Sequence, residues 1–238
     1  MATTVLHKAD TRGHADHGWL NAYHSFSFAS WYNPDRVQFG TLRVLNDDTV
    51  AAGMGFGTHP HDNMEIITIP LEGDLAHKDS MGNQATIKTG DVQVMSAGTG
   101  IQHSEFNPNA DLRTKLFQIW LFPKTRNVEP RYQQITLDTT EQKNNFAQVL
   151  SPNPDDAGVW IHQDAWFHLS DFEAGFSKQY ELKKEGNGLY AFVISGTITI
   201  DGQELETRDG LGITDFNTLD IKATTDAKFL LMEIPMTH

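Results

Sequence analysis

Two tripeptides, His59-Pro60-His61 and His103-Ser104-Glu105, hold the side chains best suited to chemistry. In a strand, residues two apart point to the same face, so His59 projects with His61 and His103 with Glu105. If the two strands are neighbours in one sheet or barrel, three imidazoles and one carboxylate converge, a donor set that suits a borderline divalent metal. The chain has no cysteine, which excludes disulfides and thiolate ligands and leaves histidine and carboxylate as its metal chemistry. His-x-His alone is common on solvated strands. The second pair lifts it above that background, as do turn signals between the pairs at Glu72-Gly73, Met81-Gly82-Asn83 and Thr89-Gly90-Asp91, where the chain can return a later strand to an earlier one.

The surrounding segments read as strands. Residues 19–29 alternate strictly, Tyr23, Ser25 and Ser27 against His24, Phe26 and Phe28, and predict a half-buried strand in which His24 is a hydrogen-bonded core histidine rather than a ligand. Residues 39–45 are strand-like, and Asn46-Asp47-Asp48 after them is a turn signal. Gly53, Gly55 and Gly57 weaken an isolated strand, so their expected use is close approach of backbone or ligand, with open space beside the metal. Residues 64–71 form a buried strand, and Glu65 at its start is expected to be a structural carboxylate, with support of a ligand histidine as the second choice. Residues 118–122 alternate again before Pro123, and Gln118 and Trp120 are expected to face the cavity.

The second half repeats the first weakly. Residues 192–198 match residues 67–75 around a glycine, Arg208-Asp209-Gly210 stands where Thr89-Gly90-Asp91 stands, and Asp201-Gly202 is a hairpin turn of the preferred kind. Aligned on those glycines, the ligand positions become Leu182, Lys184, Ala223 and Thr225, so the second unit has no ligands; His162 and His168 fit neither pattern and read as structural or exposed. Short strands broken by glycine, aspartate and asparagine predict an all-β sandwich or barrel. Proline, asparagine and threonine become dense over residues 123–154, which places the boundary near Tyr132.

The spacing Gly53-x5-His59-x-His61-x3-Glu65-x7-Gly73 resembles the first motif of the cupin superfamily, and Gly90-x5-Ser96-x-Gly98-x4-His103 its second. Three departures, the early Glu65, Ser96 where proline is usual, and Glu105 after His103, resemble the pirin family specifically. The resemblance covers nearly the whole chain and implies a bicupin: two jelly-roll β-barrels (double-stranded β-helices) packed face to face. Residues 1–132 would form the metal-binding domain and 133–238 a cupin domain without metal ligands. It also implies that the carboxylate ligand lies in the second motif, which assigns the role to Glu105 and not Glu65, and that the metal is iron(II), one per chain. The donors alone would also accept nickel, copper, manganese, cobalt or zinc, and an octahedral ion would keep two positions open.

What such a site does is left between readings by the resemblance. Bacterial pirins are similar to quercetin 2,3-dioxygenases, which open the heterocycle of a flavonol with dioxygen; here Glu105 would also be catalytic, accepting the flavonol proton. Pirins are also described as iron-binding regulators acting through protein partners, and a cupin isomerase or hydrolase using the metal as a Lewis acid is a weaker third reading. Composition narrows the partners. A net charge of −13, from 31 acidic and 18 basic side chains, repels phosphate backbones and disfavours direct nucleic-acid binding. Residues 1–18 lack the apolar core of a signal or anchor and no stretch is long enough to span a bilayer, so the expectation is a cytoplasmic protein with no membrane contact.

Overall fold

Period-two alternation decides which way each strand faces. In the Thr114–Leu121 strand, Leu116, Gln118 and Trp120 turn to one side and Phe117, Ile119 and Leu121 to the other. In the Ala227–Pro235 strand, Phe229 and Leu231 oppose Leu230, Met232 and Ile234. Phe117, Ile119 and Leu121 meet Leu230, Met232 and Ile234 in one buried cluster, so the two strands belong to sheets that share a core. The computed structural model describes residues 2–237; Met1 and His238, the outermost positions of the two expected units, lie outside it.

The first of these sheets runs, in spatial order, Arg131–Thr136, Asp91–Ser96, Glu65–Glu72, Thr114–Leu121, Leu42–Val50, Leu20–His24 and Gly13–Asp16. A four-stranded sheet faces it: Gly55–His61, Ile101–Phe106, Leu75–Asp79 and Gln84–Ile87. The second unit repeats the plan, with Thr3–His7, Gly210–Thr214, Asn187–Ser195, Ala227–Pro235, Trp166–Phe172, Ala147–Ser151 and Val159–Trp160 in its large sheet. Its small sheet is Ser177–Glu181, Thr218–Ala223, Ile198–Ile200 and Gln203–Leu205. The all-β expectation of two jelly rolls packed face to face holds, each built as two facing sheets rather than one continuous hydrogen-bonded ring. The repeat holds too: Gly73 and Gly196 both take positive φ (74° and 81°) at equivalent strand ends.

Strand exchange ties the units together. Thr3–His7 pairs antiparallel with Gly210–Thr214, so the first strand of the chain completes the second unit's sheet. Arg131–Thr136 pairs with Asp91–Ser96 and straddles position 132/133.

Two local expectations are corrected. The strand expected over residues 19–29 stops at His24: the Ser27 N–H turns to the Arg36 carbonyl at 2.6 Å and Ala29 adopts φ 50°. Phe26 thereby leaves the face of His24 and enters the core between the units. Asn46-Asp47-Asp48 is not a turn but mid-strand in Leu42–Val50. Asp47 is ion-paired with Arg12 and Arg208 at 3.1 and 2.9 Å, which removes its objection to a strand, while Asn46 and Asp48 face a cavity.

The two interiors differ. Phe172, Tyr180, Leu189, Ile198, Leu219, Phe229 and other apolar side chains fill the second, and Ala223, at a ligand-equivalent position, is one of them. His168 is buried there against Tyr180, and His162 is half-buried against Trp160. The first interior has only small apolar clusters at its two ends. Between them, Cα partners across the large sheet form a polar row, His24, Asn46, Gln118, Thr68 and Gln93, all buried.

Candidate metal centre and its cavity

The strands carrying the two tripeptides are hydrogen-bonded neighbours. Gly55–His61 pairs with Ile101–Phe106 so that His103 opposes His59, and a register shift after His103 sets Glu105 opposite Phe56. Gly55 makes this approach possible, since a Cβ there would lie 2.1 Å from the Glu105 carbonyl oxygen; Gly53 and Gly57 face open space, as expected beside a site.

The three imidazoles converge. Ring centroids lie 4.8 Å apart for His59 and His61, 4.4 Å for His59 and His103, and 4.9 Å for His61 and His103. Two groups of candidate ligands occur among the described residues, with donor atoms within 4.8 Å of one another: His59, His61 and His103, and His77, His103 and Glu105. His103 belongs to both and joins Glu105 to the other histidines. His59 Nδ1 lies 2.8 Å from the Gly57 carbonyl; donating there fixes the tautomer and leaves Nε2 as the free donor. His61 Nε2 and both ring nitrogens of His103 are buried without a partner. Burial first, then the neighbouring imidazoles, push His61 down to about 4 and His103 lower still. Both are therefore neutral, the form that ligates, and each orphaned nitrogen costs about 1–3 kcal/mol until something binds it. Neutral, partnerless imidazoles beside a buried carboxylate fit a divalent cation.

Glu105 is held from behind. Gln118 Nε2 donates to both carboxylate oxygens at 3.0 and 3.3 Å, and the Thr68 hydroxyl stands 3.5 Å away. Burial raises Glu105 to about 7 against these hydrogen bonds, and a cation bound alongside acts in the opposite direction. Glu65 points the other way along its strand, with Ile67 and not with Ile66. Its carboxylate accepts the Ser96 hydroxyl at 2.7 Å, so it is the structural carboxylate expected, and serine in place of proline supplies that donor.

The ligands open into a cavity of about 260 Å3. Phe28, Phe56, His59, His61 and Trp120 are half-buried on its open side; His24, Asn46, Asp48, Gln118 and Glu105 are buried behind them. Gln118 and Trp120 face it as expected. His24 is a bonded core histidine, its Nδ1 2.8 Å from Asn46 Oδ1, and it lines the cavity as well.

Two residues here escaped the sequence reading. His77 opposes Glu105 across the ladder, its ring between His103 and Tyr132 and its Nε2 3.1 Å from Asp79 Oδ2. Asp48 was hidden in an apparent turn, although Asn46-x-Asp48 between Val44 and Val50 has strand alternation. Burial, then the charges of Asp47 and Glu105, raise Asp48 to about 8. The folded protein thus holds a proton that the unfolded chain releases, so this contribution is complete below about pH 4 and lost as pH rises to 8. Metal-free Asp48→Asn is expected to lose less stability than metal-free wild type between pH 5 and 8.5 in denaturant titrations; parallel curves would refute this.

Comparison with known proteins places the chain. A family model described as Pirin matches residues 5–121, and one described as Quercetinase C-terminal cupin domain matches residues 148–234. A quercetin 2,3-dioxygenase of Escherichia coli strain K12 is 44% identical over 234 residues, 97% of this chain and 98% of that one. The chain belongs to the pirin family. Another member, a pirin-like protein of Caulobacter vibrioides, is 40% identical over 94% of this chain and 96% of its own length. The crystal structure of the bacterial pirin YhhW from Escherichia coli in complex with nickel(II) superposes with a TM-score of 0.93 at 41% identity, covering 98% of this chain and 99% of that one. A quercetin 2,3-dioxygenase from Acinetobacter baumannii, at 22% identity and a TM-score of 0.77, shares the fold.

Proposed function

We propose that this pirin is a metal-dependent dioxygenase of the quercetin 2,3-dioxygenase kind, acting on a flavonol with dioxygen. One divalent metal per chain is held by His59, His61, His103 and Glu105. The observation that carries the reading is the convergence of His59, His61 and His103, the last shared with the buried Glu105 carboxylate, at the wall of a largely apolar cavity. Iron(II) is the first choice on the family resemblance, with nickel next because the Escherichia coli relative was crystallised with it.

When bound, the metal supplies Lewis acidity and open coordination positions for a chelating substrate. The protein does the rest. Trp120, Phe28 and Phe56 give a flat substrate aromatic walls and exclude water. His59 is oriented through Gly57. Gln118 fixes the Glu105 carboxylate, whose oxygen accepts the proton released when the flavonol 3-hydroxyl becomes an anion. Cytoplasmic residence belongs to the same proposal; among the described residues no helix is long and apolar enough to cross a membrane.

The test is anaerobic addition of quercetin to iron- or nickel-loaded protein, followed by oxygen. The flavonol absorbance band is expected to shift on binding and disappear only after oxygen, and only in metal-loaded protein. Fully loaded protein that consumes no flavonol would overturn the dioxygenase reading in favour of a metal-dependent regulator.

A further inference from the structure

One carboxyl in the cavity has no part in holding a metal. Asp48 is 5% exposed, lines the cavity, and belongs to neither group of candidate ligands. Its Oδ1 is buried without a hydrogen-bond partner. Its neighbours across the sheet, Ala22 and Leu116, are apolar and offer none. In the polar row one step away, the two members nearest in the sheet are engaged elsewhere, Asn46 Oδ1 with His24 and Gln118 Nε2 with Glu105. An unsatisfied buried acceptor is costly, and in folded proteins such an atom is accounted for by a water, an ion or a ligand.

Position favours a ligand. Asp48 lies two residues beyond Asn46 in one strand, a step of about 7 Å, on the scale of one aromatic ring with its hydroxyl. Phe56 and Leu20 line the same cavity and provide apolar walls for such a ring. We infer that Asp48 determines substrate specificity by hydrogen-bonding a ring hydroxyl of an aromatic substrate anchored at the metal centre, so that polyhydroxylated flavonols are selected over unsubstituted ones. This rests on the dioxygenase reading. Burial keeps the Asp48 carboxyl up near 8, so at neutral pH it both donates and accepts, and covering it with a ring buries no net charge.

Quercetin and 3-hydroxyflavone carry the same 3-hydroxy-4-carbonyl chelate, but the second lacks every other hydroxyl. Anaerobic titration of metal-loaded protein with each, read by flavonol absorbance, isolates those hydroxyls from the chemistry. Asp48→Leu is expected to weaken quercetin binding by roughly three- to tenfold, leave 3-hydroxyflavone unchanged and keep full metal content. Asp48→Ala is expected to give the same split should the leucine prevent folding, and Asp48→Asn, which still donates and accepts, to retain the wild-type preference. An unaltered preference in Asp48→Leu or Asp48→Ala, with both flavonols still bound, overturns this inference alone; wild type that binds neither flavonol overturns the dioxygenase reading and this inference with it.

Discussion

His103→Ala is expected to empty the metal centre while leaving the fold intact. His103 is shared by both groups of candidate ligands, so its removal separates Glu105 from His59 and His61. Replacing a group that supports a ligand already costs 10–100-fold in affinity, and loss of the central ligand is expected to cost at least about 100-fold. The fold does not depend on it. The main core is the apolar cluster between the two large sheets, and His103 makes no hydrogen bond to the protein through its ring. Its loss removes two orphaned nitrogens, which offsets part of the packing lost. The measurement is metal per chain after dialysis, with thermal unfolding with and without added metal. Wild type at a hundredfold excess over its dissociation constant gains about 2.7 kcal/mol; the variant, bound at least about 100-fold more weakly, gains no more than about 0.4 kcal/mol at the same metal concentration. A variant that keeps one metal per chain would refute the ligand set.

The convergence of His59, His61 and His103 was legible because chemistry and local geometry coincide: each candidate pair is two apart within one strand, so spacing alone gives direction. The same holds for Gln118 and Trp120. Alignment on Gly73 and Gly196 puts Leu182, Lys184, Ala223 and Thr225 at the ligand-equivalent positions, and Ala223 lies in the apolar cluster that fills the second unit. Asp48 failed on competing signals. Three consecutive polar residues read as a turn unless something pairs Asp47, and its partners Arg12 and Arg208 are far away in sequence. His77 failed for a different reason. It sits behind Glu105 only through ladder pairing, and a lone histidine before Lys78 carries no local sign of that neighbour. The pairing of Thr3–His7 with Gly210–Thr214 is the extreme case, a contact between the two ends of the chain with no local pattern to announce it.

Glu105→Gln is expected to retain much of its metal and lose most turnover. The side chain keeps its size, a ligating oxygen and a position where Gln118 and Thr68 can still bond it, so the three histidines with a weaker fourth donor hold the ion. What it loses is basicity: an amide cannot accept the flavonol proton, and no other acid lies within the ligand set. General-base assistance contributes about 10²–10⁴-fold, so turnover per bound metal should fall by about that factor. Asp48 is the other carboxyl facing the cavity, but it belongs to neither group of candidate ligands. The rival account is that Glu105 only ligates, in which case flavonol consumption normalised to metal content would survive the change while metal affinity fell. Substrate anion formation separates the two directly. Under anaerobic conditions wild type should show the absorbance of the bound flavonolate at neutral pH, and Glu105→Gln should show it only when the solution is made alkaline enough to remove the 3-hydroxyl proton without help; a flavonolate band at neutral pH in the metal-loaded variant would assign the proton to another acceptor.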